Sequence, residues 1–289
     1  MNYLIHLIFM FCIMSLLTIS LDLFVGHLGI LSLAHSVFWA AGAYGTGMCL
    51  LHLGWPFPMA LLAGILLSIV LSQTIAISAY RLRHDAIILA TLSLLMISLD
   101  LLKNLRSLTG GLDGLIGIPA PSWGGLAISN PLLQTVQAAA FLIVAVFLRN
   151  RIIYSPLGRG MHAFRDDPLS AVGLGVRPIR VFPYAAALSA ALAAVAGALY
   201  ATNASYLNPT TFNQDQAILL LVMVLIGGAG SKYGPLLGAL ILILLPEAFR
   251  MIGISSAQVG AIQQIFIGLC LITFAGFRPR GLWGGYRFK

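Results

Sequence analysis

Nine stretches of this chain are apolar almost without interruption: 3–21, 34–51, 56–80, 86–102, 132–149, 181–201, 216–228, 235–250 and 261–277. A helix needs about 20 mainly apolar residues to cross the hydrocarbon of a bilayer. The chain is therefore predicted to be an all-α polytopic membrane helix bundle of about nine spans, with eight to ten as the range and several of them broken by glycine. The stretch 216–228 runs into IGGAG (226–230) and is barely long enough to cross. Charge agrees with this reading. Only 8% of the 289 residues are charged, against about 25% in a soluble domain. With no internal repeat, residues 1–289 read as a single transmembrane domain. The first stretch lacks a basic leader and a small-residue cleavage site, so it reads as a retained span rather than a signal peptide.

Lys and Arg collect on the cytoplasmic side of membrane proteins. Alternating nine spans with the N-terminus outside leaves only Lys103, Arg106 and Arg250 of the 16 Lys and Arg residues in outer loops. That predicts a periplasmic N-terminus and a cytoplasmic C-terminus. It also explains the net charge of +8 as an orientation signal, with no nucleic-acid partner required. The three cysteines, Cys12, Cys49 and Cys270, lie in apolar runs without metal-ligand spacing and read as packing residues.

One inner loop, residues 150–180, is long and charged. Within it runs YSPLGRGMHAFRDDPLSAVGLGVRPIR, from Tyr154 to Arg180. Ser155-Pro156 is a helix start, since Ser caps and Pro fits the first helical position. Leu157 to Asp166 is predicted to form a short helix. Asp167-Pro168 repeats the start signal for a second, which runs to about Leu174 and stops at Gly175. Met161, Phe164, Leu169 and Val172 give this pair an apolar side; Arg159, Arg165 and Asp166 give it a charged one. Such a knob suits a groove on a partner protein, while composition alone fits a solvated loop lying on lipid headgroups equally well. Adjacent on a helix, Asp166 and Asp167 point apart, which argues against a catalytic carboxylate pair.

Polar groups within the spans are few. Asp100 with Lys103, and Glu247 with Arg250, are spaced to meet on one helix face. Gly26, Gly29, Ser32 and His35 interrupt an apolar region, and broken helices expose backbone groups able to meet a zwitterion. They are candidate borders of a translocation path, with a simple inter-helix turn as the alternative. Gly227, Gly228 and Gly230, in IGGAGSKYG, join them as sites of close helix approach or helix breakage. No strand precedes these glycines, so they do not read as a dinucleotide fold. His27 and His35 have no nearby Cys or acidic cluster, so no metal site is expected. Lys103, Lys232 and Lys289 follow Leu102, Ser231 and Phe288, so the chain contains no G-x-x-x-x-G-K phosphate loop.

GRGMHAFRDDPLSAVGLGV resembles the cytoplasmic coupling segment of LivM-type permease subunits of branched-chain amino acid ABC importers. Gly158, Arg159, Ala163, Arg165, Asp166, Asp167, Ala171 and Gly175 fall on that pattern. Pro168 replaces an acid and Ser170 an alanine. GHLGILSLAHSVFWAAGAY (26–44), LTGGLDGLIGIP (108–119), MVLIGGAGSKYGPLLGA (223–239) and FRPRGLWG (277–284) resemble further segments of the same family, in order along the chain.

The resemblance implies a permease in a bacterial inner membrane that moves branched-chain amino acids inward by alternating access. It implies a second, LivH-like permease, two ATP-binding cassette subunits that bind ATP and Mg, and a periplasmic binding protein. The chain itself would be no enzyme and would hold no cofactor. Its external loop, with Thr109, Gly110, Gly111 and Gly114, would receive the binding protein. Related permeases handle urea, amides, other amino acids or sugars, which leaves the cargo open. A secondary transporter or channel would need mid-span acids, which are scarce here. A membrane scaffold would not need so many glycine-broken spans.

Overall fold

A computed structural model describes residues 2–82, 84–124, 126–252, 256–277 and 282. The tail motif 277–284 and the charges at Arg83, Arg278, Arg280, Arg287 and Lys289 lie almost wholly outside the described residues.

Nine long helices coincide with the nine apolar stretches: α1 (Asn2–Asp22), α2 (His35–His52), α3 (Phe57–Arg81), α4 (His84–Asn104), α6 (Pro131–Ile153), α9 (Pro178–Ala204), α10 (Gln214–Gly227), α11 (Gly234–Met251) and α12 (Ser256–Phe277). Among the described residues, seven of them are long and apolar enough to cross a membrane. Helix α12 is 22 residues long, and its Gln258–Thr273 portion is apolar. In α2 the composition is diluted by Ser36, Gly42, Gly45, Thr46 and Gly47, and nearly all of the helix is buried.

The small residues of α2 have a mechanical reason. A side-chain atom at Gly42 would overlap the backbone of Ala194 in α9, and one at Gly45 would come within 2.9 Å of Gly64 in α3. Gly197 of α9 likewise sits directly on the Trp39 carbonyl. Helices in lipid gain little from burying apolar surface, so they associate through close backbone approach at small residues. Helices α2, α3 and α9 form such a tightly apposed trio, and the alanines of α9 line its seams. Trp39 fills the end of this core against Tyr200 and Phe212, with ring centroids 5.3 and 4.7 Å away. Helix α1 packs beside α6, α9 and α11. Helices α10 and α11 meet where Gly227 touches the Gly234 carbonyl and Gly238 the Met223 carbonyl.

Helix starts follow local chemistry. Asn130 accepts a hydrogen bond from the Leu132 N–H at the head of α6 (2.9 Å), and Asn213 one from Gln216 at the head of α10 (3.1 Å). Prolines occupy first-turn positions of α3, α6, α9 and α11. Of the two predicted helix-face pairs, Glu247–Arg250 forms, at 3.1 Å. Asp100 and Lys103 make no ion pair with each other among the described residues; Asn104 donates instead to the Asp100 carbonyl.

The connection from α4 to α6 carries α5 (Arg106–Thr109), a 3-10 turn (Gly111–Asp113), β1 (Leu115–Ile116) and a hairpin of β2 (Ser122–Trp123) and β3 (Leu126–Ala127). Strand β1 pairs antiparallel with β4 (Tyr206–Leu207), just past α9. At the other end of the bundle, α6 and α9 are joined by α7 (Pro156–Asp166) and α8 (Pro168–Gly173).

Candidate functional site

The predicted knob forms, with its predicted caps. Ser155 Oγ accepts from the Gly158 N–H (3.3 Å). Asp167 Oδ1 accepts from the Leu169 and Ser170 N–H groups (3.0 and 3.3 Å). Gly175, at φ +85°, stops the second helix. Gly158 presses on the Ile152 and Ile153 carbonyls, so α7 turns sharply away from α6. Ala171 is buried, Ala163 half-buried, and Arg159 and Asp166 are exposed.

One expectation about the knob is corrected. Its apolar residues do not share a side. Met161 and Phe164 of α7 are buried against the bundle, Phe164 against Phe182 of α9 with ring centroids 5.2 Å apart. Leu169, at 86% exposure, Val172 and Leu174 of α8 face outward. Two short helices at an angle present two faces, and the bundle takes one.

Arg165 is also turned inward. Its Nη1 donates to the Gly26 carbonyl (2.8 Å), and its stem lies across Gly29, where φ is +77° and no side chain fits. Gly26 belongs to a π turn, Leu23–His27, that continues α1. A side chain at Gly26 would overlap the Asp22 carboxylate and the Gly230 backbone.

Beneath this contact lies a group of buried charges. Asp22 and Arg149 are both almost fully enclosed, with Arg149 Nη2 2.6 Å from Asp22 Oδ2. The other carboxylate oxygen accepts from the Gly230 N–H (2.7 Å). Arg149 also donates to the Ser231 carbonyl (2.6 Å) and the Lys232 carbonyl (3.3 Å). It reaches His27 Nε2 as well, at 3.2 Å. His27 Nε2 also lies 3.4 Å from Asp22 Oδ2, and His27 Nδ1 shares a hydrogen bond of 2.8 Å with His162 Nε2 of α7. The junction thus unites the tip of α1, the end of α6, the knob, and the turn between α10 and α11. A buried ion pair adds little net stability over an apolar substitute. Removing one partner, however, strands the other and costs about 3–5 kcal/mol. The junction therefore ties four segments together through side-chain contacts.

His162 lies outside the spanning helices. Burial, reinforced by the charges of His27 and Arg165, pushes its imidazole down to about 4.

The expected path residues fall into this picture unevenly. Gly26, Gly29 and Gly230 meet at the junction, and Gly227 and Gly228 lie at the helix break beside it, with Gly228 at φ +106°. Ser32 is buried and accepts from the Ala34 N–H (3.3 Å). His35 is buried 2.7 Å from Ser189 Oγ, where Ser20 and Ser189 exchange hydroxyl-to-carbonyl hydrogen bonds of 2.7 Å. These residues are packed; three cavities among the described residues are lined by others. The external loop brings a further correction. Thr109, Gly111 and Gly114 are buried and set its shape, Gly110 is half-buried, and the exposed surface includes the apolar Leu108, Leu112 and Ile116 beside Arg106, Ser107 and Asp113.

Sequence reading missed Asp22 and Arg149 altogether. Each sits at the end of an apolar stretch and passes for an ordinary terminal charge. The signal available was that Asp22 directly follows the apolar stretch 3–21 with no neighbouring charge of either sign.

The family model described as "Branched-chain amino acid transport system / permease component" matches residues 3–275. The high-affinity branched-chain amino acid transport system permease proteins LivM of Salmonella typhimurium and Escherichia coli are each 27% identical over 290 residues, covering 92% of this chain and 67% of theirs. The autoinducer 2 import system permease protein LsrC of Salmonella paratyphi B is 30% identical over 207 residues, 67% of this chain and 58% of that one. No solved structure matches the chain. The family match takes in the junction and the knob as well as the spans: this chain belongs to the family of permease components of branched-chain amino acid transport systems.

Proposed function

We propose that this chain is the spanning permease subunit of an ABC importer, moving branched-chain amino acids inward across a bacterial inner membrane. The observation that carries this reading is the knob fastened through Arg165 and His162 to a buried junction of three other segments. A force applied to α7 reaches α1, α6 and the α10–α11 turn at once. In this reading the arginine-rich end is cytoplasmic and the N-terminus periplasmic. Two ATPase subunits bind and hydrolyse ATP with Mg, since the chain has no phosphate loop. Leu169, Val172 and Leu174 are the surface each closing motion would grip. A second, related permease completes the path. A periplasmic binding protein delivers cargo onto Leu108, Leu112 and Ile116. Gly26, Gly29, Gly227, Gly228 and Gly230 serve as hinges of the path, with Ser32 and His35 deeper along it.

A second reading changes only the cargo. The relatives named for autoinducer 2 import favour another small polar solute carried by the same machinery.

The test is affinity purification of the tagged chain from its own membranes in mild detergent, beside a variant with Leu169, Val172 and Leu174 replaced by Ser. ATPases should accompany the intact chain and be lost from the variant, which still inserts. Leucine uptake by cells should fall with them. Absence of any ATPase beside the intact chain, with uptake driven by an ion gradient, would replace this reading with a secondary transporter.

A further inference from the structure

Arg149 and Arg151 stand two residues apart on α6 and face opposite ways. Arg149 enters the junction. Arg151 faces outward and lines a cavity of about 480 Å³ with Phe147, Asn150, Tyr154 and Ser155. Arg159, one turn into α7, folds back toward the same corner and donates to the Tyr154 carbonyl (3.4 Å). Both arginines are exposed, and neither joins an ion pair among the described residues. Above the cavity, Val136, Ile143 and Phe147 recur at helical spacing on α6 and are 58%, 70% and 64% exposed. This apolar stripe runs straight down into the cationic corner.

A stripe of hydrocarbon ending in two unpaired guanidinium groups is the complement of a molecule with an apolar tail and an anionic head. We propose that this corner binds one acidic glycerophospholipid. Its phosphodiester sits between Arg151 and Arg159, and Asn150 and the Tyr154 hydroxyl supply further hydrogen bonds. One acyl chain lies over Phe147, Ile143 and Val136. Guanidinium is the side chain best matched to phosphate oxygens. Basic pockets beside spanning helices select acidic headgroups over zwitterionic ones, which bring a cation of their own. Free phosphate would use the arginines and leave the stripe idle. The position gives the lipid a role: it braces the α6–α7 corner from outside, while Asp22 and Arg149 hold the same corner from within.

Native mass spectrometry of the full-length chain, with the subunits that accompany it, tests this after equilibration with equal amounts of phosphatidylglycerol and phosphatidylcholine. The intact protein should retain one more phosphatidylglycerol than an Arg151→Gln/Arg159→Gln variant, with phosphatidylcholine retention unchanged. An Arg151→Lys/Arg159→Lys variant should keep most of that lipid. Millimolar inorganic phosphate should not displace it; displacement would reduce the corner to a simple anion site and overturn the proposal. Should the Gln variant fail to insert, Phe147→Trp with both arginines present keeps the question open to an answer. Brominated phosphatidylglycerol should then quench its fluorescence more than brominated phosphatidylcholine. Equal retention, equal quenching, or efficient disulfide capture of a protein partner through Val136→Cys would each overturn the proposal.

Discussion

At the end of the bundle where α7 packs, four segments are joined by side-chain charge: one carboxylate, two guanidinium groups and two imidazoles, set among glycines with no room to spare. At the far end, the long loop is fastened by backbone. Strand β1 pairs with β4, and the Gly117 and Ile118 N–H groups both donate to the Ser205 carbonyl (3.0 and 3.2 Å). Ser205 itself adopts φ +54° to present that carbonyl. Thr109 Oγ1 ties the loop back to the Leu102 carbonyl at 2.6 Å. Backbone ladders hold a shape whatever the side chains do. Side-chain ion networks hold only while every member is present and in the right charge state. One end is built to stay and the other to respond.

The sharpest way to break this contrast is to strand a charge. Asp22→Leu or Arg149→Met alone should cost about 3–5 kcal/mol, and the two together should restore part of it, because no charge is then stranded although the Gly230 N–H and the Ser231 and Lys232 carbonyls lose their partners. Thermal unfolding of the purified protein reads both. A double variant no better than the singles would show that the ion pair is not the unit.

Next in size is steric. Gly26→Val drives a side chain into the Asp22 carboxylate and the Gly230 backbone. It should abolish leucine uptake and lower stability by about 1–3 kcal/mol, the usual effect of overpacking. Gly260 and Gly268 of α12 have open space around them. Alanine at either should leave stability equal or raise it by up to about 1 kcal/mol. Similar losses at all three sites would mean that the junction is no tighter than the bundle at large.

At the far end, Gly114 sits at φ +76° against the Leu207 carbonyl. With ψ at −178° this is a region essentially closed to residues with a Cβ, so Gly114→Ala should cost about 1–3 kcal/mol. Proteolysis of the 105–130 loop should quicken, while a spin label at Asp166 keeps its mobility. A change at Asp166 would show that the two ends are not independent.

The smallest effect is titration. The His162 pKa falls from 6.5 to about 4 on folding, so protonation opposes the docked state. Docking of α7 should be fully present above about pH 6.5 and weaken as pH falls toward 4. His162 faces His27 of α1 and has Arg165 and Asp166 nearby on its own helix. A spin label at Asp166 should gain mobility across that interval, and His162→Gln should flatten the profile.

Much of the fold was legible because spans are written locally. A run of apolar residues states its own length, and Ser155-Pro156 and Asp167-Pro168 state where helices begin. The junction was illegible because its partners are distant: Asp22 and Arg149 are separated by 127 positions, and His27 and His162 by 135. Nothing in either neighbourhood names the other. The external loop was expected to receive a partner only because of the family resemblance; the local reason for Gly110, Gly111 and Gly114, positive φ angles and tight backbone contact, appears once the fold is known.

The π turn at Leu23–His27 carries one further consequence. A π turn accommodates an extra residue relative to the α-helix around it. Drawing that residue back into regular winding would swivel everything beyond it by roughly 100°, the angle each residue subtends about a helix axis. The Gly26 carbonyl would leave Arg165, and the His27 ring would leave His162, in a single step. The first helix thus ends in one residue of slack, and the knob is what keeps it paid out.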